Sequence, residues 1–109
     1  MKIEKKLLYD FQADEGDSRK AMVAIHGWQG NRNSMRPLIN SMNINNLDWY
    51  LLEAPYPVHG ADGGYSWSYE KSDGVWEEDE PRELLQFFFN DIFTKYPSEN
   101  IYVMGFSQG

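Results

Sequence analysis

The sequence predicts an α/β fold in which a mostly parallel sheet is flanked by helices. Three apolar runs carry that expectation: Ala21-Met22-Val23-Ala24-Ile25, Trp49-Tyr50-Leu51-Leu52 and Ile101-Tyr102-Val103-Met104. None has a polar face, which is how strands buried on both sides of a parallel sheet read. Segments with helical spacing lie between them, so the expected order is strand, helix, strand, helix, strand.

Ahead of these runs, Ile3, Leu7, Tyr9 and Phe11 alternate with Lys2, Glu4, Lys6, Asp10 and Gln12. That period of two suits a strand with one wet face, at an antiparallel edge. A turn-rich stretch, Ala13 to Arg19, separates it from the run at 21–25, which stops at His26-Gly27. Asn33 or Ser34 can cap a helix whose Met35, Leu38, Ile39 and Met42 share a face, with Pro37 tolerated in its first turn. The second run ends at Glu53-Ala54-Pro55, where proline withholds a ladder donor. Residues 56–77 then form a connection longer than structural economy needs, rich in glycine, tryptophan and tyrosine. Glu80 can cap a helix opened by Pro81, with Leu84, Leu85, Phe88, Phe89, Ile92, Phe93 and Tyr96 as its apolar stripe and Pro97 as its stop. The acidic run from Glu77 to Glu80 is favourable charge near that helix N-terminus.

Composition narrows the function. The chain has 109 residues, 41% hydrophobic and 16% aromatic, which fits one globular domain at most. Seventeen acidic residues against ten basic ones give a net charge of −7, so nucleic acid and anionic lipid surfaces would be repelled. The absence of cysteine excludes disulfides, thiolate metal sites and a cysteine nucleophile, and two histidines leave little from which to build a zinc site. No metal or cofactor is expected. The charged start, Met1 to Phe11, and the lack of any apolar run of signal-peptide or membrane-span length point to a cytoplasmic protein without stable membrane insertion.

The chemistry sits in Gly105-Phe106-Ser107-Gln108-Gly109. This is the pattern G-x-S-x-G, in which a serine is presented on a strained turn just past a strand, and an apolar strand leads directly into it here. His26-Gly27-Trp28 follows the first buried strand, where a serine hydrolase of this kind needs a second backbone N–H for its oxyanion hole. If the strands at 21–25 and 101–104 are neighbours, Trp28 and Ser107 face one crevice, and the oxyanion would take hydrogen bonds from the amides of Trp28 and Gln108. His26 is expected to brace its loop rather than act as a base. His59 precedes Ser107, whereas the chain order in such folds is serine, acid, histidine, so it is expected to be a solvated loop residue.

At these residues the chain resembles the phospholipase/carboxylesterase family of small α/β-hydrolases, which includes acyl-protein thioesterases. The resemblance rests on His26-Gly27, Glu53-Ala54-Pro55, Ser66-Trp67 and Gly105-Phe106-Ser107-Gln108-Gly109, and so spans residues 21–109. It implies a partial α/β-hydrolase fold truncated after the nucleophile elbow, with Ser107 as nucleophile, Trp28 and Gln108 as oxyanion amides, and Trp67 bordering the substrate cleft. The implied substrate is a small-molecule carboxylic ester or thioester. Members commonly carry glycine two residues after His-Gly, where this chain has Gln29 with Gly30 one place later, and an aromatic–acidic pair after Trp67, where it has Ser68-Tyr69.

The family draws its acid and its histidine from sequence after the elbow. The 109 residues therefore read as the N-terminal portion of one α/β-hydrolase domain, expected to be poorly stable and nearly inactive alone. A reading from another class is a non-catalytic binding protein that uses Trp28, Tyr56, Tyr65, Trp67, Tyr69 and Trp76 as an aromatic surface. Those rings also suit half-buried packing under a long loop.

Overall fold

The computed structural model describes residues 6–13, 20–42, 44, 46–58 and 63–105. Ile3, most of the expected turn before Lys20, His59, Ser107 and Gln108 lie outside them. In chain order the elements are β1 (Leu8–Gln12), β2 (Ala21–Ile25), α1 (Pro37–Met42), β3 (Asp48–Glu53), β4 (Tyr56–Pro57), β5 (Tyr65–Ser66), β6 (Glu70–Ser72), β7 (Val75–Trp76), α2 (Asp79–Phe93) and β8 (Ile101–Gly105), with a 3-10 turn at Ser98–Asn100 before β8.

Four strands form the main sheet in the order β1-β3-β2-β8. β1 runs antiparallel to β3 at the edge, while β3, β2 and β8 are mutually parallel. The fold is therefore α/β with a mixed, mostly parallel sheet, as the apolar runs predict. β2 explains why its run has no polar face. Ala21 and Val23 pack with Tyr50, Leu52 and the α2 residues Leu84, Phe88 and Ile92. Met22 and Ala24 pack on the other side with Trp49, Leu51, Met35 and the α1 residues Leu38, Ile39 and Met42. Successive strand residues point to opposite faces, so one strand serves two cores, and the two helices lie on opposite sides of the sheet.

α1 is shorter than its apolar spacing predicts. From Asn31 to Ile39 the chain makes tight i to i−3 bonds, among them Ser34 N–H to Asn31 O at 3.0 Å and Arg36 N–H to Asn33 O at 3.2 Å. The helix proper opens only at Pro37. Proline disfavours helical backbone at the residue before it and is accommodated at a first helical position. The side chains of the two expected caps are used instead in the preceding turn, where Ser34 Oγ accepts from Asn31 N–H and Asn33 Oδ1 accepts from the Arg36 Nε–H at 3.2 Å.

α2 starts at Asp79 and is capped by a different carboxylate from the one expected. Glu77 Oε1 accepts the Glu80 N–H at 2.9 Å, and the Glu80 carboxylate accepts the Tyr56 hydroxyl at 2.7 Å. Its buried line is Pro81, Leu84, Phe88 and Ile92, so the stripe is narrower than the sequence implies and Phe93 is half exposed. Tyr96, beyond the helix, is buried and donates its hydroxyl to Asp48 at 2.5 Å.

β8 corrects another expectation. It pairs with β2 as foreseen, yet Val103 is 54% exposed and Tyr102 is exposed as well. β8 is an edge strand among the described residues, so neither of its faces is covered as those of β2 are. The connection 56–77 is also more ordered than a loop, forming the small antiparallel pairs β4·β5 and β6·β7. No helix among the described residues is long and apolar enough to cross a membrane.

The α2 register is checked by truncating its two faces. Ile92 is 0% exposed, and replacing it with alanine should cost about 2–5 kcal/mol in urea unfolding. Phe93→Ala should cost less than about 1 kcal/mol. Equal losses would refute this orientation.

Candidate active site

The β2·β8 ladder places Ile25 opposite Gly105. His26-Gly27-Trp28 and the segment that begins at Phe106 thus leave adjacent parallel strands at the same, C-terminal end, where α/β sheets hold their chemistry. Ser107 and Gln108 follow Gly105 by two and three residues and lie outside the described residues.

His26 is fully buried and both of its ring nitrogens are engaged by the backbone. Nε2 accepts the Ala54 N–H at 2.9 Å, so its lone pair is unprotonated, and the proton resides on Nδ1, which donates to Gly27 O at 2.6 Å. Burial pushes its pKa below the ordinary 6.5, outweighing the Gly27 carbonyl and the nearby Glu53, which act the other way. A neutral ring with both nitrogens occupied ties the end of β2 to the end of β3 and has no nitrogen left for general-base work. Glu53 is itself buried at the end of β3 and sits near Arg32, whose N–H reaches its carboxylate at 3.4 Å.

The Gly27 carbonyl also accepts the Gly30 N–H at 3.1 Å. Two donors therefore fix the direction of this C=O. The described peptides are all trans, so the N–H of the same peptide unit, that of Trp28, points the opposite way. Among the described residues the Trp28 amide has no acceptor. Its side chain is 57% exposed.

The turn is tight enough to make two glycine-favouring positions. A Cβ on Gly30 would stand 2.9 Å from Ser34 Oγ, 3.0 Å from His26 Nδ1 and 3.1 Å from Gly27 O, so only glycine fits without displacing the brace. Gln29 has φ of 68°, in the left-handed region that costs an L-residue about 1 kcal/mol or more. The chain places glycine at the position demanded by packing and leaves a glutamine at the one demanded by dihedral angle.

The long connection closes over this turn. Gln29 N–H donates to Tyr65 O at 3.0 Å and Tyr65 N–H donates to Gly30 O at 2.8 Å, while Asn31 Nδ2 donates to Gly63 O at 2.9 Å. The Trp67 indole N–H donates to His26 O at 2.8 Å, and its ring centroid lies 5.4 Å from that of His26. Trp67 is 6% exposed and, with Trp76, Glu77, Pro81, Arg82 and Leu85 around the start of α2, lines an open cavity of about 460 Å³. The six aromatics do not share one environment. Trp28, Tyr69 and Trp76 are exposed, Tyr56 and Tyr65 are half-buried, and Trp67 is buried. Tyr65 has no signature in the sequence, because it acts through its main chain. Among the described residues no group of acidic, histidine or cysteine side chains is arranged to hold a metal ion.

The mixed, mostly parallel sheet with helices on both faces is α/β and is consistent with a partial α/β-hydrolase fold. No family model and no curated relative matches the chain. Solved structures do. A carboxylesterase from Mesorhizobium loti matches with a TM-score of 0.75 and 15% identity over 94% of this chain and 50% of its own. The Bacillus cereus carboxylesterase matches with a TM-score of 0.72 and 18% identity over 94% and 49%, and acyl-protein thioesterase 2 of Zea mays with 0.63 and 20% over 93% and 46%. The structural neighbours are thus esterases and thioesterases of the α/β-hydrolase fold, and this chain spans about half the length of those it matches.

Two outcomes check this geometry. Folding holds His26 neutral while the unfolded chain takes up a proton near pH 6.5, so its contribution to stability is complete above that pH and is lost as pH falls through the lower folded value. Urea midpoints should decline below about pH 6.5, and His26→Gln should remove that part of the slope; an unchanged slope would contradict the neutral brace. Gln29→Gly should raise stability by about 0.5–1 kcal/mol through relief of the left-handed backbone. A drop in the midpoint would show that the glutamine side chain holds the turn.

Proposed function

We propose that the complete protein is a serine hydrolase that cleaves carboxylic ester or thioester bonds through an acyl-enzyme on Ser107. The observation that supports this reading is the pairing of Ile25 with Gly105, since the Trp28 amide, without an acceptor among the described residues, follows one of these residues by three positions and the G-x-S-x-G serine follows the other by two in sequence. Residues 1–109 are then the N-terminal portion of one α/β-hydrolase domain.

In the first step Ser107 Oγ attacks the carbonyl carbon and passes its proton to a base, and the carbonyl oxygen takes the negative charge. The amides of Trp28 and Gln108 receive that oxyanion, each worth about 2.7–4 kcal/mol to the transition state. The alcohol or thiol departs with a proton, and water then releases the acid and restores the serine. Trp67, one of the residues around the 460 Å³ cavity, stands at the border of the cleft. The base and the carboxylate that orients it come from sequence after the elbow, as the order serine, acid, histidine requires. The reaction calls for no cofactor, and the partner is a small-molecule ester in the cytoplasm.

A non-catalytic scaffold has the exposed Trp28 and Trp76 in its favour, since large exposed rings suit recognition. One experiment separates the two. The complete protein should be labelled by a fluorophosphonate at Ser107, and Ser107→Ala should abolish labelling and lower p-nitrophenyl ester hydrolysis by at least about 10³-fold. A folded complete protein that resists the probe would point to the scaffold.

A further inference from the structure

We propose that Trp67 is a positioning residue for the oxyanion amide: its indole N–H, held on the His26 carbonyl, locks the joint between β2 and the turn that carries Trp28. This rests on the serine-hydrolase reading of the same site. The Gly27–Trp28 peptide lies between two fixed points. On its far side, Gln29 and Gly30 are held by the main chain of Tyr65. On its near side, the His26 ring is held by Ala54 and the His26 carbonyl by Trp67 at 2.8 Å.

Among the described residues the ladder between β2 and β8 ends at Ile25 and Gly105, and β2 itself ends at Ile25. His26 is thus the first residue past the paired strand, and without a donor on its carbonyl the peptide unit joining it to Gly27 could swing. A swing there turns the Gly27 carbonyl, and with it the Trp28 N–H on the opposite side of the next peptide plane. An oxyanion donor is effective only if it is in place before charge develops, and a misplacement of about 1 Å can cost about 10²-fold in rate. At the border of the cleft, Trp67 acts by holding the backbone rather than by meeting the substrate. It is 6% exposed, and its one polar atom is directed at the backbone rather than at the cavity.

The two roles separate in kinetics. In the complete protein, Trp67→Phe removes the donor, and replacement of Trp67 by its benzothiophene analogue removes the N–H while keeping the size and shape of the ring. Both should lower kcat about 10- to 100-fold with KM within about threefold, by the same factor for p-nitrophenyl acetate and p-nitrophenyl octanoate. A raised KM with unchanged kcat, a loss that depends on acyl length, or no change in the sulfur analogue would overturn the proposal. If Trp67→Phe fails to fold, the analogue alone decides. Wild-type esterase activity and Ser107 labelling are read first: their absence removes the hydrolase reading itself, whereas their presence with an indifferent Trp67 removes only this inference.

Discussion

The parallel ladder between β2 and β8 sets where the His26 turn stands relative to the chain leaving Gly105, and that ladder is held from both faces of the sheet. A slip of one residue would exchange the two sets of β2 side chains. Val23 would then meet the methionine-rich core under α1, and Met22 and Ala24 would face the aromatic core of Tyr50 and Phe88 under α2. Because the two cores differ in shape and bulk, packing fixes the register of β2.

His26 shows why the turn is built around a histidine rather than an apolar residue. Ala54 directly follows β3, its N–H is buried, and Pro55 comes next without a donor to extend the ladder. Leaving such an N–H unmet would cost about 1–3 kcal/mol. The neutral imidazole offers an acceptor on one side and a donor on the other, held at fixed separation by a rigid ring. It can therefore join an N–H of one strand end to a C=O of the neighbouring turn. The burial that lowers its pKa preserves this arrangement, since a protonated ring would set a second donor against the Ala54 N–H.

Much of this fold is legible in the sequence, and the parts that are not have physical reasons. The apolar runs at 21–25, 49–52 and 101–104 declare the strands because burial on both faces removes every polar position. The exposure of Tyr102 and Val103 is not written in those letters, because it depends on which strands stand alongside. Proline at 37 disguises the start of α1, whose apolar face extends into a tighter coil. Among Glu77, Glu78, Asp79 and Glu80, composition cannot say which carboxylate turns back to cap α2. β4 to β7 are two or three residues long, too short to show a period of two. At the site, His26 is legible as a brace from its place before Gly27. The Tyr65 clamp is invisible because its contacts are main-chain, and Gln29 conceals a backbone that its side chain disfavours. Ser107 and Gln108, the most legible motif of all, lie outside the described residues.

The connection between β3 and α2 gains its meaning from how it is tied. Lengthening a loop costs little closure entropy, about 0.6 kcal/mol for each doubling, so length alone calls for no compensation. This segment is nevertheless fastened along its course. Tyr56 donates to Glu80, Ser68 donates to the Glu77 carbonyl at 2.5 Å, and Lys71 pairs with Glu77 at 3.2 Å. The Glu80 N–H and the Lys71 ammonium hold the Glu77 carboxyl below the usual carboxylate range, so the charge that caps α2 also secures the β6·β7 pair. Such anchoring is more than a connector needs. It is what a preorganised oxyanion hole needs, because a donor carried on a mobile turn must be reorganised at the moment charge develops and loses its advantage over water. In the proposed reaction the connection thus acts on the rate through Tyr65 and Trp67, and its length serves the turn it encloses.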